Sequence, residues 1–228
     1  MNSKRTLQRI NNTSFVTWLL LVMTVLVFLL EIISGGSQNQ QVLFNLGAKV
    51  NDLVRQGDWW RLITPIFLHI GFMHIAVNGV MIYYVGTQLE RIFGHLRFLL
   101  IYFVSGIAGN LTSFAFGNDG TISAGASTAL FGLFGAFIAL GLVFKQNPFI
   151  QAVARQFGVL VIINLVFDLF MPSIDLWGHI GGFVGGLLIA FAINVPKSIG
   201  KIPYWQQVLA IILVVGLGSL MYWNGMYG

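Results

Sequence analysis

Cysteine is missing from this chain, which removes disulfide frameworks, thiol nucleophiles and thiolate metal sites and leaves the redox compartment unread. Charge is nearly as scarce. Only 8% of residues are charged, against about 25% in soluble domains, while 57% are hydrophobic and the mean hydropathy is +0.83. That balance excludes a soluble domain and implies an integral membrane protein. The net charge of +5 rests on twelve Lys and Arg scattered between apolar blocks. They form no basic face, so nucleic acid is not an expected partner, and a membrane-orienting role accounts for them.

What the chain has in abundance is apolar length. Crossing a bilayer takes about 20 apolar residues, and seven segments qualify, near 15 to 33, 64 to 86, 97 to 117, 126 to 144, 149 to 170, 177 to 195 and 205 to 223. The fold class expected is an all-α integral membrane bundle. Lys4, Arg5 and Arg9 precede the first segment, as in a signal peptide. That segment is longer than the roughly 7–15 residues of a secretory core and ends in Glu31, Ser34 and Gly35 without an Ala-x-Ala cleavage pattern, so it reads as a retained helix. Most connections are short. The exception, residues 34 to 60, ends in Asp58-Trp59-Trp60-Arg61, a cluster suited to the headgroup zone, where Trp rings lie and Arg reaches phosphates. With the N-terminus cytoplasmic, the inner side collects Lys4, Arg5, Arg9, Arg91, Arg97, Lys145, Arg155, Lys197 and Lys201, leaving Lys49, Arg55 and Arg61 outside. This positive-inside bias makes segments two, four and six run inward from the outer face.

Two polar residues stand out at the starts of those inward segments. Gly125-Ala126-Ser127-Thr128-Ala129-Leu130-Phe131-Gly132 opens the fourth, and Gly178-His179-Ile180-Gly181-Gly182 opens the sixth. A lone serine in a membrane helix commonly bonds a carbonyl one turn back. A histidine in lipid must be paired and marks a functional site by default. Together they read as nucleophile and general base, the histidine taking the serine proton and returning it to a leaving amine. Gly178, Gly182 and Gly186 on one span, and Gly125, Ala129, Gly132, Gly135 and Ala136 on the other, supply the small residues that close helix approach requires. In the second segment His74 and Asn78 are one turn apart on one face. They read as oxyanion donors beside the Ser127 N–H, each worth on the order of 3 kcal/mol in the transition state, or otherwise as a structural polar pair.

Several alternatives fall away. His69 and His74 are off one helical face and lack the Glu of a His-Glu-x-x-His metal site, so no metal and no cofactor is expected. The serine string also lacks the closing Gly of a soluble nucleophile elbow. Asp168 and Asp175 read as interfacial, which leaves a serine-histidine dyad without an acidic third member. Glu90, beside Arg91 in the run from Tyr84 through Gly86 to Gly94, reads as a helix-end ion pair or a tether to a neighbouring loop.

Four strings in order, Trp60-Arg61, His74-x-x-x-Asn78, Gly125-x-Ser127 with Phe131-Gly132, and His179-x-Gly181-Gly182, resemble the rhomboid intramembrane serine proteases over roughly residues 59 to 190. The resemblance implies Ser127 as nucleophile, His179 as base, His74 and Asn78 as oxyanion stabilisers, and the Trp59 to Arg61 loop, with Trp60 and Arg61, as the outer rim, while Glu90 and Gly182 read from their own placement as structural residues. It implies a six-helix core over 15 to 195, including the outer loop 34 to 60, behind a cytoplasmic tail at 1 to 14. Residues 196 to 228 then form a linker and an added seventh helix flanked by Tyr204, Trp205, Tyr222 and Trp223. Two positions depart from the family pattern: Thr128 where Gly is frequent, and Phe131 where Tyr can stand.

The expected activity is endoproteolysis of transmembrane segments of single- or multi-span membrane proteins near the outer leaflet. The expected location is a bacterial plasma membrane, with the N-terminus cytoplasmic and the C-terminus outside. A non-catalytic rhomboid-like helix binder of the quality-control class would lack the nucleophile and base that this chain keeps. A transporter would show inverted repeats, which are not evident. Substrate identity, gating and oligomeric state are not encoded in any motif.

Overall fold

The computed structural model describes residues 13–171, 173–195 and 200–228. The basic tail carrying Lys4, Arg5 and Arg9, and Lys197 in the linker, lie outside the described residues. Seven long helices account for the seven apolar segments. They are α1 (Phe15–Ile33), α4 (Phe72–Phe93), α5 (His95–Phe116), α6 (Ser127–Val143), α7 (Pro148–Asp168), α8 (Leu176–Ala192) and α9 (Tyr204–Tyr227). The long connection carries two short helices, α2 (Gln40–Asn45) and α3 (Asn51–Arg55), followed by the 3-10 turns Trp59–Leu62 and Thr64–Phe67. Among the described residues the one β contact is an isolated bridge between Lys49 and Ser123.

The second segment differs most from its expected bounds. The largely apolar run starts at Ile63, but Pro65 opens a 3-10 turn and Gly71, at φ 82, breaks the chain before the helix begins at Phe72. Hydropathy cannot see that break. His74 therefore sits in the first turn of α4 and not about three turns into a longer helix. At the other end the helix runs past Gly86 to Phe93, because Gly86 is a contact point where α4 meets Thr17 and Phe98.

Apolar lipid tails give helices no hydrophobic reason to associate, so close packing and hydrogen bonds must hold the bundle. α6 is the centre. Its residues from Thr128 to Phe137 are all buried, enclosed by α5, α7 and α8. The outer faces of α1, α7 and α9 are lined instead by exposed apolar side chains such as Leu26, Ile162 and Ile212, as a lipid-facing surface requires. Gly178 and Gly182 lie on Thr128 of α6, and Gly186 lies on Gly132. The neighbouring Gly181 and Gly185 face Thr112 and Ala108 of α5. α8 thus presents two bare faces, one to each neighbour.

Polar tethers fix the periphery. Glu90, at the end of α4, accepts the Val16 N–H at 2.9 Å and the Thr17 N–H at 2.8 Å. It thereby satisfies amides at the start of α1 that have no helical partner of their own. The Thr17 hydroxyl and the His95 ring complete its shell. Glu90 thus ties α4 to the start of helix α1 and to His95 instead of to a neighbouring loop. Arg61 differs from expectation. Instead of reaching for phosphates it is buried, donating from Nη1 to the carbonyls of Phe44 and Ala48 and from Nε to Asp58, each at 2.9 Å. It staples the outer loop from within, while Trp60 stays exposed at the rim. α9 is fastened by Arg55, which donates to the Gly225 carbonyl, and by Asn224, which donates to the Ala115 carbonyl, both at 2.8 Å.

Candidate active site

Ser127 is the first residue of α6, and the turn before it is made possible by Gly125. That residue has φ 144, a backbone conformation that side chains resist. A Cβ there would also sit 2.8 Å from His74 Cε1 and 2.9 Å from His74 Nε2. The same point is 3.5 Å from Ser127 Oγ, so the imidazole edge of His74 and the serine hydroxyl flank one small space over Gly125. The Gly125 N–H is anchored on the Pro65 carbonyl at 2.9 Å, which ties the serine turn to the segment leading into α4.

His179 enters from α8. Asp175 caps that helix, accepting the Gly178 N–H at 2.9 Å through one oxygen and the Ser113 hydroxyl at 2.5 Å through the other. The imidazole lies flat on Phe131, with ring centroids 4.1 Å apart and planes 11° from parallel. Phe131 is four residues after Ser127, one turn along the same face of α6. The ring that covers Phe131 is therefore held against the face that begins with Ser127. Its Nδ1 is within 2.6 Å of Asp168 Oδ2, and both side chains are buried.

That contact corrects the interfacial reading of Asp168. The residue ends α7 but turns inward, because the short connection to α8 brings the end of one helix beside the start of the next. Asp175, by contrast, is the cap of α8. The signal for Asp168 was present in the sequence as an acidic residue inside an apolar segment, which by default needs a partner. What the sequence could not supply was the fold-back that makes His179 that partner.

The second pair lies on α4. His74 Nδ1 accepts the Ile70 N–H at 3.4 Å, which assigns the ring proton to Nε2, the nitrogen beside Gly125. Asn78, one turn further, is buried, and its Nδ2 has no hydrogen-bond partner among the described residues. A buried amide donor left free is unusual and fits a site that receives an acceptor from elsewhere. His69, considered in the sequence only as a metal ligand, packs edge-on to His74 at 5.2 Å and accepts the Ala126 N–H at its Nε2. The His69 N–H in turn donates to Glu31 of α1 at 2.9 Å. Among the described residues no three metal-ligating side chains converge.

Outside the spanning helices the electrostatics are ordinary loop chemistry. Burial pushes the Lys49 ammonium below the usual lysine range, with Asp175 and Asp119 opposing, and its Nζ donates to Asn51. Asp119 is held low chiefly by its hydrogen bond from Arg55, with Asn51 helping. A cavity of about 320 Å³ between α5, α8 and α9 is walled by apolar side chains including Leu111, Trp177 and Met221; neither Ser127 nor His179 lines it.

Comparison with known proteins follows the same residues. Positions 56–196 match the Rhomboid domain model. The chain is 41% identical to Rhomboid protease GluP of Bacillus subtilis over 92% of its own length and 40% of that protein. It is 36% identical to putative rhomboid protease YdcA of the same organism, covering 65% of this chain and 71% of the relative. It is 30% identical to Rhomboid-like protease 3 of Toxoplasma gondii, covering 85% and 74%. The chain thus spans well under half of the GluP protein but most of the other two.

Proposed function

This chain belongs to the rhomboid family, and from that premise we propose that it is an intramembrane serine endopeptidase acting on transmembrane segments of other membrane proteins. Ser127 Oγ attacks the scissile carbonyl while His179 Nε2 takes its proton. The tetrahedral oxyanion is received by the His74 Nε2–H, the Asn78 amide and the Ser127 N–H. Collapse breaks the C–N bond as His179 protonates the leaving amine, and water repeats the sequence on the acyl-enzyme.

The observation that carries the reading is the His179 ring stacked on Phe131, one turn from Ser127, with Nδ1 engaged and Nε2 left for the hydroxyl. Two further features support it. Asn78 keeps a buried donor without a partner among the described residues. α6 and α8 have 17 residues each, about 25 Å at 1.5 Å per residue, short of the roughly 30 Å apolar core, so their polar starts need not meet lipid. A helical substrate hides its carbonyls and must unwind locally, which favours helix-weakening residues near the cut. Cleavage near the outer leaflet and a cytoplasmic N-terminus complete the proposal, from the charge bias of the sequence.

The test is cleavage of a single-span substrate in liposomes by the wild type, Ser127→Ala and His179→Ala, with fluorophosphonate labelling in parallel. Wild-type cleavage and labelling that vanish in Ser127→Ala are expected. Cleavage that survives loss of Ser127 removes the nucleophile assignment, and neither cleavage nor labelling by the wild type favours a helix binder.

A further inference from the structure

We propose that Asp168 is the positioning residue of the base, its carboxylate holding the His179 ring in the tautomer and orientation that present Nε2 to Ser127. The proposal rests on the protease reading above and adds a third member to its serine and histidine. The observation is the contact of 2.6 Å between Asp168 Oδ2 and His179 Nδ1, made by two buried side chains from different helices. That is slightly shorter than the about 2.7–2.9 Å of a charge-assisted N–H···O hydrogen bond.

Three features make this contact more than a chance ion pair. A carboxylate at the C-terminal end of α7 faces the negative end of the helix dipole, so its position is unfavourable unless something positive answers it. The imidazolium formed when Ser127 loses its proton is such a charge, and in a water-poor site it needs one. Secondly, the carboxylate accepts only. It therefore fixes the proton of neutral His179 on Nδ1 and leaves the lone pair of Nε2 as the acceptor. Thirdly, no other group around the ring can do this. Phe131 of α6 covers one face and has no hydrogen-bonding group, and His74 of α4 lies within electrostatic reach but has its Nδ1 engaged by the Ile70 N–H and its proton on Nε2. Asp175 on His179's own helix has its oxygens taken by Gly178 and Ser113. The tilt of the ring is thus fixed by Phe131 and its rotation in plane by Asp168.

During the reaction the Ser127 proton passes to Nε2 while the Nδ1–H stays on His179, so Asp168 changes neither protonation nor bonding. Its contribution is orientation and charge. Removing it should lower turnover without altering how substrate is held.

The experiment compares wild type, Asp168→Asn, Asp168→Glu and Ser127→Ala, each full chain, in liposomes with one single-span substrate, separating kcat from KM and recording thermal denaturation alongside. Asp168→Asn keeps the shape but can present its NH2 to Nδ1, favouring the wrong tautomer. Its kcat should fall about 10²- to 10⁴-fold with KM within about twofold, and Asp168→Glu should recover part of that loss. An Asp168→Asn enzyme with wild-type kcat overturns the proposal. So does an Asn variant whose loss matches a lower folded fraction, or one no worse than the Glu variant. If Ser127→Ala still cleaves, the protease reading itself fails, and this proposal with it; that outcome is distinct from an inert Ser127→Ala beside an unaffected Asp168→Asn.

Discussion

Substituting Gly182 by alanine inserts one methyl group at one of the tight backbone contacts of the bundle. A Cβ built on Gly182 meets the carbonyl of Thr128, lying 2.9 Å from its carbon and 3.2 Å from Cα, and closer still to the oxygen. Ordinary contact begins near 3.4–4 Å. All three atoms are backbone of α6, so no side chain can swing aside, and α8 must withdraw from α6 by about an ångström. Overpacking of this kind costs about 1–3 kcal/mol. The activity cost is larger, because Thr128 directly follows Ser127 and Gly182 is less than one turn from His179, so the displacement falls between nucleophile and base. A misplacement of about 1 Å between reacting groups is worth about 10²-fold. In liposomes kcat/KM for a single-span substrate should therefore fall about a hundredfold while most of the protein stays folded by thermal denaturation. Gly216→Ala is the control, since a Cβ there meets nothing within 4 Å. Full activity in Gly182→Ala, or equal losses in both variants, would refute the argument that close backbone approach sets the geometry of the site.

Three more outcomes are expected. His74→Ala and Asn78→Ala should each lower kcat about ten- to a thousandfold without abolishing cleavage; unchanged rates would make the pair structural. Thr128→Val removes a hydroxyl whose oxygen is buried without a partner among the described residues, so stability in detergent should rise by about 1 kcal/mol on denaturant titration. Glu90→Gln turns an amide toward the α1 N–H groups that the carboxylate now accepts, and the same titration should show a loss of about 1.5–3 kcal/mol.

Sequence reading reached the helices because apolar length is a direct consequence of the bilayer, and it reached the α6–α8 contact because glycine spacing on a helix defines a face. It also read the rhomboid resemblance from four strings that the family match then covered. It missed what depends on backbone breaks inside apolar sequence. The stretch from Thr64 to Gly71 is apolar enough to pass for helix, and only the geometry of Pro65 and Gly71 separates it from α4. Arg61 looked like a headgroup ligand because its partners, the carbonyls of Phe44 and Ala48, carry no sequence signature. Asp168 was invisible as a partner of His179 for a related reason: the two are brought together by a turn between helices and not by spacing within one.

The two bare faces of α8 bear on how the protein is made. A helix carrying Gly178, Gly181, Gly182, Gly185 and Gly186 offers lipid little to grip and gains its adhesion only when backbone lies against backbone on both sides. Its berth exists only after α5 and α6 have been synthesised and have come together. Ser127 therefore leaves the ribosome ahead of both Asp168 and His179. The three side chains cannot come together until α8 has been made, and the site is the last part of the core to be assembled.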